Sequence, residues 1–427
     1  WDAKTITTDA AGGNKFFNLF INPGAGNTVN AGSELDIDGE LQVTDGTLAM
    51  AGNSADVAGI TDIDGILSLS TGTFNANGPT DIDGTLKITT TGIYDANNTF
   101  TAETGTIDFE GAGSLRCSDI VTNLGTLSTD NGIVEYDGVN QDICVVNYYK
   151  LKINNTGTAS SSATNQLVVL DSLIVAGNLL LNDAQPLDLG GNFLLASGTF
   201  NPGINTGHTV AGNWTETALT TFTPTEGRFT FTGNNTTITT QANAGGSGNY
   251  FNDLYINPGL GNTVSAGSFL DINGDLQVTS GTTMDMAGSD ANVAKITDVD
   301  GILLIRSGQF DSPLPFGQTL IDASGTVSID GGTYIANVIN SAGTLEFLGV
   351  GGILEIIGST PIISGAFTAG SGKVFYSRAF GTQDILGLNY YDLEIAGVDA
   401  GVGIPKDATG NITVQNSLKI LESGTTG

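Results

Sequence analysis

From Ala31 to Gly52 the chain reads AGSELDIDGELQVTDGTLAMAG, with Leu35, Ile37, Leu41 and Val43 on one side of an alternation and Asp36, Asp38, Glu40 and Gln42 on the other. A period of two predicts β-strands. The strands are short because Asp38-Gly39 and Asp45-Gly46 close them. Glycine reaches the positive φ of a sharp corner, and the aspartate before it satisfies backbone groups. The predicted unit is a coil of two or three short strands joined by corners.

The same paragraph returns as AGSFLDINGDLQVTSGTTMDMAG from Ala266 to Gly288. A shorter phrase recurs at closer range, as DIDGELQVTDGTL at 36, DIDGILSLSTGTF at 62, DIDGTLKITTTGIY at 81 and DVDGILLIRSGQF at 298. Within one copy these starts lie 19 to 26 residues apart, the length of one β-solenoid turn. One coil cannot cover its own apolar side, and stacking buries it while pairing the backbone. The expectation is therefore an all-β, right-handed parallel β-solenoid, right-handed because parallel β connections are. At ~4.8 Å per coil, roughly nineteen coils would make a rod on the order of 90 Å. The alternative is a string of tandem β-sandwich domains. No stretch reads as a helix: even QLVVLDSLIVAGNLLL, Gln166 to Leu181, is β-branched and interrupted by a Gly corner.

Aromatic-led arms divide the chain: FFNLFIN from Phe16, YYKLKIN from Tyr148, YFNDLYIN from Tyr250 and YYDLEIA from Tyr390. They predict the end of a truncated preceding repeat (1–15), a long module (16–147), a short one (148–249), a second long one (250–389) and the start of a truncated short one (390–427). The long modules correspond at an offset of roughly 235 residues, by comparison of the two copies.

Composition narrows the function more than it names one. The 427 residues include 61 Gly, 10 Pro and only 13% charged side chains, so the chain is neither collagen-like nor a disordered acidic tail. With 13 basic and 44 acidic residues the formal charge is −31. Nucleic acid and direct membrane insertion are excluded as expectations, because nucleic acid and anionic membranes call for basic patches and no apolar run is long enough to span a bilayer. High negative charge keeps a long β surface soluble, discourages edge pairing and favours divalent cations.

The combination of a GTVxFxG-like strand, Gln-Asp-Ile, an aromatic pair, a Leu-x-Ile strand and AGNLLL…SGTF resembles the repeat regions of large secreted surface proteins of Bacteroidota. The resemblance implies export by type IX secretion, an extracellular cell-surface location, and a role as adhesin, stalk or filament, including the gliding-adhesin kind. The C-terminal sorting domain usual in that family is absent from this sequence. Expected partners are the chain itself or neighbouring copies in a fibre, surface glycans, and a host or substratum. A structural shaft is the favoured function, with a glycan-binding repeat array and a head-to-tail homopolymeric fibre as alternatives.

Candidate sites follow from the repeat. Asp36 and Asp38, Asp62 and Asp64, Asp81 and Asp83, Asp271, and Asp298 and Asp300 are expected on the outer face of successive coils. Stacked carboxylates repel, and Ca²⁺, which takes several oxygen ligands, would relieve that. The competing reading is a solvated face with Asp-Gly corners. Cys117 and Cys144 are a disulfide candidate on adjacent coils or two buried thiols, since their counterparts, Ile356 and Leu386, are apolar. At each arm one ring should point in and one out, which makes Phe17, Tyr149, Tyr250 and Tyr391 surface aromatic candidates. By resemblance, Asp171-Ser172-Leu173 matches a short glycosylation signal at Ser172. His208, the only histidine, has no nucleophile near it in sequence, and Arg116, Arg228, Arg306 and Arg378 are scattered, so no enzyme is expected.

Overall fold

A computed structural model describes residues 4–9, 13–128, 130–242, 248–312, 317–379, 381–396 and 405–421. Parts of the first and last predicted modules, 1–3, 10–12, 397–404 and 422–427, lie outside the described residues. The chain divides into two compact units, Trp1–Gly203 and Ile204–Gly427. Among the described residues there are strands and no helix, and every paired strand runs parallel to its partner. Parallel pairing through short corners is the solenoid arrangement. It removes the sandwich alternative, which needs antiparallel pairs.

In the first unit the earlier coils each contribute strands to three ladders. One ladder runs Leu35–Ile37, Ala55–Val57, Thr73–Ala76, Ile93–Ala96, Ser114–Cys117, Ile133–Tyr136, Asn147–Ile153 and Leu167–Val175. A second runs from Lys4–Ile6 to Thr126–Leu127, and a third from Leu19–Ile21 to Phe100–Thr101. The second unit repeats the plan, with Leu270–Ile272, Ala291–Val293, Gln309–Ser312, Thr333–Ala336, Ile353–Ile356 and Lys373–Tyr376 in one ladder. Successive coils repeat at 19 residues between Thr61 and Thr80 and at 25 between Arg228 and Asp253, with the extra residues taken up at corners.

Alternation decides what is inside. In Thr73–Ala76 and Ser114–Cys117 the second and fourth residues are buried and the first and third are not, and the same pattern recurs in both units. Leu67, Leu86 and Ile107 stack coil on coil, each fully buried. Each such side chain contributes about 1.5–3 kcal/mol by leaving water. The corners are tight: a Cβ on Gly59 would lie 2.5 Å from the Gly39 carbonyl oxygen, and one on Gly78 would lie 2.1 Å from that of Gly59. Neither glycine has positive φ. Close approach of neighbouring coils alone demands them.

One register differs from that expected. The DIDG at 36 does not share a ladder with those at 62 and 81: Asp36 pairs with Asp56, whereas Asp62 lies between Gln42 and Asp81. A three-sided coil uses the same tetrapeptide at different corners, so a local echo does not identify the face. The aromatic arms keep the expected offset of roughly 235 residues. Phe16 bridges to Ile37 as Phe251 bridges to Ile272, so Phe17 answers Asn252, not Phe251.

Candidate functional site

The strongest concentration of chemistry is the acidic corner. In the first unit Gln42 donates to Asp62 at 2.8 Å, Asp62 pairs across to Asp81, and Thr104 donates to Asp83 at 2.7 Å. Partial burial raises the Asp81 carboxyl, and Asp83, Asp62, Glu103 and Asp64 push it further. Asp64 is raised in the same way by burial, Asp62 and Asp83. Asp36 and Asp38 stand apart and share an ion pair with Lys15, whose Nζ lies 3.6 Å and 2.9 Å from them.

The second unit reproduces the corner. Gln277 donates to Asp298 at 3.1 Å, and Asp298, Asp300 and Asp322 present carboxylate oxygens within 4.8 Å of one another. Burial, then the Asp298 charge, raises Asp300, and burial and Asp322 raise Asp298. Asp322 belongs to the sequence LIDASG, which lacks the Asp-x-Asp-Gly phrase, so only the register shows that it sits where Asp83 sits in the first unit. Asp271 does not join this group. It is 5% exposed, raised by burial, and accepts from Asn292 at 3.4 Å. The corner offers hard oxygen ligands from three side chains, suited to a divalent cation.

Cys117 and Cys144 are free thiols. Cys117 faces the core opposite Tyr136 of the next coil, and the Cys144 thiol donates to the Val121 carbonyl at 3.6 Å. Burial raises both thiols, Cys117 the more strongly. Around them lies a latch that sequence reading missed. Gln141 Nε2 donates to the Cys117 and Asp119 carbonyls at 2.7 and 2.8 Å, while Tyr148 pairs with Tyr136. Gln383, Tyr376 and Tyr390 repeat it around Ile356 and Leu386. The recurring Gln-Asp-Ile was its visible signal.

Three of the four arms place one ring fully inside, and at the first Phe16 is half-buried. Tyr148, Phe251 and Tyr390 are fully buried, whereas Phe17 is 77% exposed and Tyr149, Tyr250 and Tyr391 are half-buried. Ser172 lies mid-strand, half-buried, its hydroxyl donating to Asp171 at 2.7 Å. His208 is buried and stacked on Phe229, with ring centroids 4.6 Å apart. Glu216, also buried, accepts from Trp214 Nε1, the Gln241 amide and Asn249 at 2.7–2.9 Å. Arg116 pairs with Glu135, Arg306 with Asp285, and Arg228 lies over the Tyr255 ring. Each of these three makes a structural contact.

Among the described residues no helix is long and apolar enough to cross a membrane. Comparison with family models, with curated proteins and with solved structures gave no match for this chain.

Proposed function

We propose that the chain is the structural shaft of an extracellular cell-surface adhesin or filament, extending or displaying an adhesive region away from the cell. One observation carries this reading: in each unit, ladder after ladder of parallel strands stacks in register, and the same polar latch is rebuilt where a long module meets a short one. Such ladders resist bending and proteolysis because no backbone segment opens without breaking contacts to the coils on both sides. Charge of one sign keeps neighbouring shafts apart. In such a shaft the corner formed by Asp298, Asp300 and Asp322 is where Ca²⁺ would be taken up.

The test is antibody labelling of intact cells that produce the protein, followed by in-frame duplication of residues 250–389. The shaft reading expects label at the surface, lost on external proteolysis, and a measurably greater reach after duplication with adhesion specificity unchanged. Label confined to the cell interior would overturn it, as would a duplication that changes specificity and leaves the reach the same.

A further inference from the structure

On the first unit the ladder that includes Leu41–Val43, Thr61–Ile63 and Thr80–Ile82 ends with Phe100–Thr101 and a single bridge from Phe100 to Val121. The strand Gln141–Asp142 starts a separate sheet with Ala159–Ser161. At this break lies an open groove of about 460 Å³, lined by Ile120, Val121, Asn140, Asp142, Thr158 and Ser160, with Gln141 also contributing. The volume is within the range of small-molecule sites.

Its wall is fixed before any ligand arrives. Gln141 spends its amide on the Cys117 and Asp119 carbonyls and accepts from the Gly138 amide at 2.7 Å. Asn140 accepts from the Thr158 amide at 3.0 Å, and Ser160 donates to one oxygen of Asp142 at 3.0 Å. Asp142, Asn140 and Thr158 complete a polar edge. Ile120, 58% exposed, supplies apolar surface.

The lining identifies the ligand class by elimination. It contains no lysine or arginine, so an anion has nothing to meet. Its single carboxylate is too few for a hard cation, which takes six to eight oxygens. A carboxylate, an amide and hydroxyls beside aliphatic surface match a ring with several hydroxyls on its edge and C–H groups on its face. We propose that this groove binds one neutral pyranose unit of a glycan.

The second unit contains its own control. Gln383 makes the same bonds to the Ile356 and Gly358 carbonyls, at 2.7 and 2.8 Å. By that register Ser359 stands in place of Ile120, Thr382 of Asn140 and Pro405 of Thr158, while Asp384 faces Asp407 where Asp142 faces Ser160. The apolar surface and the amide are lost and a second carboxylate is added, so the second unit does not share the site.

The inference is independent of the shaft reading. The test is saturation-transfer NMR on the whole chain with the methyl pyranosides of glucose, galactose, mannose, fucose and N-acetylglucosamine, each up to roughly 50 mM. At least one should receive saturation, with a dissociation constant on the order of millimolar. Asp142→Asn and Ile120→Ser should each weaken it about tenfold or more, and Ser359→Ala should leave it unchanged. The two groove residues are exposed, so both variants fold, and circular dichroism checks this. Absence of transfer from all five sugars overturns the proposal, as does transfer undiminished in Asp142→Asn.

Discussion

The hydroxyl of Tyr136 lies 3.1 Å from that of Tyr148, with both rings fully buried, and the same pair recurs as Tyr376 and Tyr390 at 2.9 Å. In each copy the first tyrosine accepts from a loop amide, Cys144 or Leu386, and the second donates to the carbonyl of that same residue. Two phenols thereby satisfy a turn that enters the core.

Removing one of them should be costly and local. Tyr136→Phe leaves the Cys144 amide without its acceptor, and Tyr376→Phe does the same to Leu386, each at about 1–3 kcal/mol. Because solenoid stability is a sum over neighbouring coils, the loss should appear as faster hydrogen exchange at Cys144 or Leu386 before it appears in a melting curve. Unchanged exchange at these amides would refute the latch.

The corner glycines separate two costs. Gly59→Ala forces a Cβ against the Gly39 carbonyl and should lose about 1–3 kcal/mol through overpacking. Gly26→Ala meets no atom within 4 Å but has φ of +74°, so it should lose only the left-handed strain of about 1–2 kcal/mol. Urea denaturation of the two variants compares them, and the first is expected to be the less stable.

Burial lowers His208 to about 4 from its ordinary 6.5. The unfolded chain takes up this proton near 6.5 and the folded chain only near 4. The stabilisation is therefore complete above pH 6.5 and is lost as pH falls through that window, by roughly 3 kcal/mol in all. Glu216 has the opposite sign: burial raises it, so its contribution grows as pH falls toward 4.5. With one histidine in the chain, its NMR titration reads the first effect directly. An apparent value near 6.5 in the folded protein would contradict the burial.

Cys117→Ile with Cys144→Leu copies the second latch into the first. Both exchanges stay apolar but add volume to a packed site, so they should cost about 1–3 kcal/mol, less where the neighbours repack as they do around Ile356 and Leu386. In the unmodified protein the raised, shielded thiols should alkylate slowly until denaturant is added, and then take up two equivalents, as intact mass will show.

Millimolar Ca²⁺ should raise the melting temperature of the wild-type chain and have less effect on the Asp300→Asn, Asp322→Asn double variant, because the cation relieves repulsion among three close carboxylates. Calorimetry with neither binding heat nor a melting shift removes the site.

The period of two, the Asp-Gly corners and the long echo between Ala31–Gly52 and Ala266–Gly288 determine strands, coil length and stacked repeats from the sequence alone. Side-chain alternation and corner chemistry are local properties, and a repeat multiplies them. The inward Tyr148, Phe251 and Tyr390 were legible for the same reason. Register was not. Asp36 beside Asp56 rather than Asp62, and Asp322 joining Asp298 and Asp300, follow from how many residues each corner absorbs, and only neighbouring coils settle that number. The Tyr136–Tyr148 latch and the groove at Asp142 likewise exist because one ladder stops and another starts. That is a property of backbone pairing between coils, carried by no single phrase of the sequence.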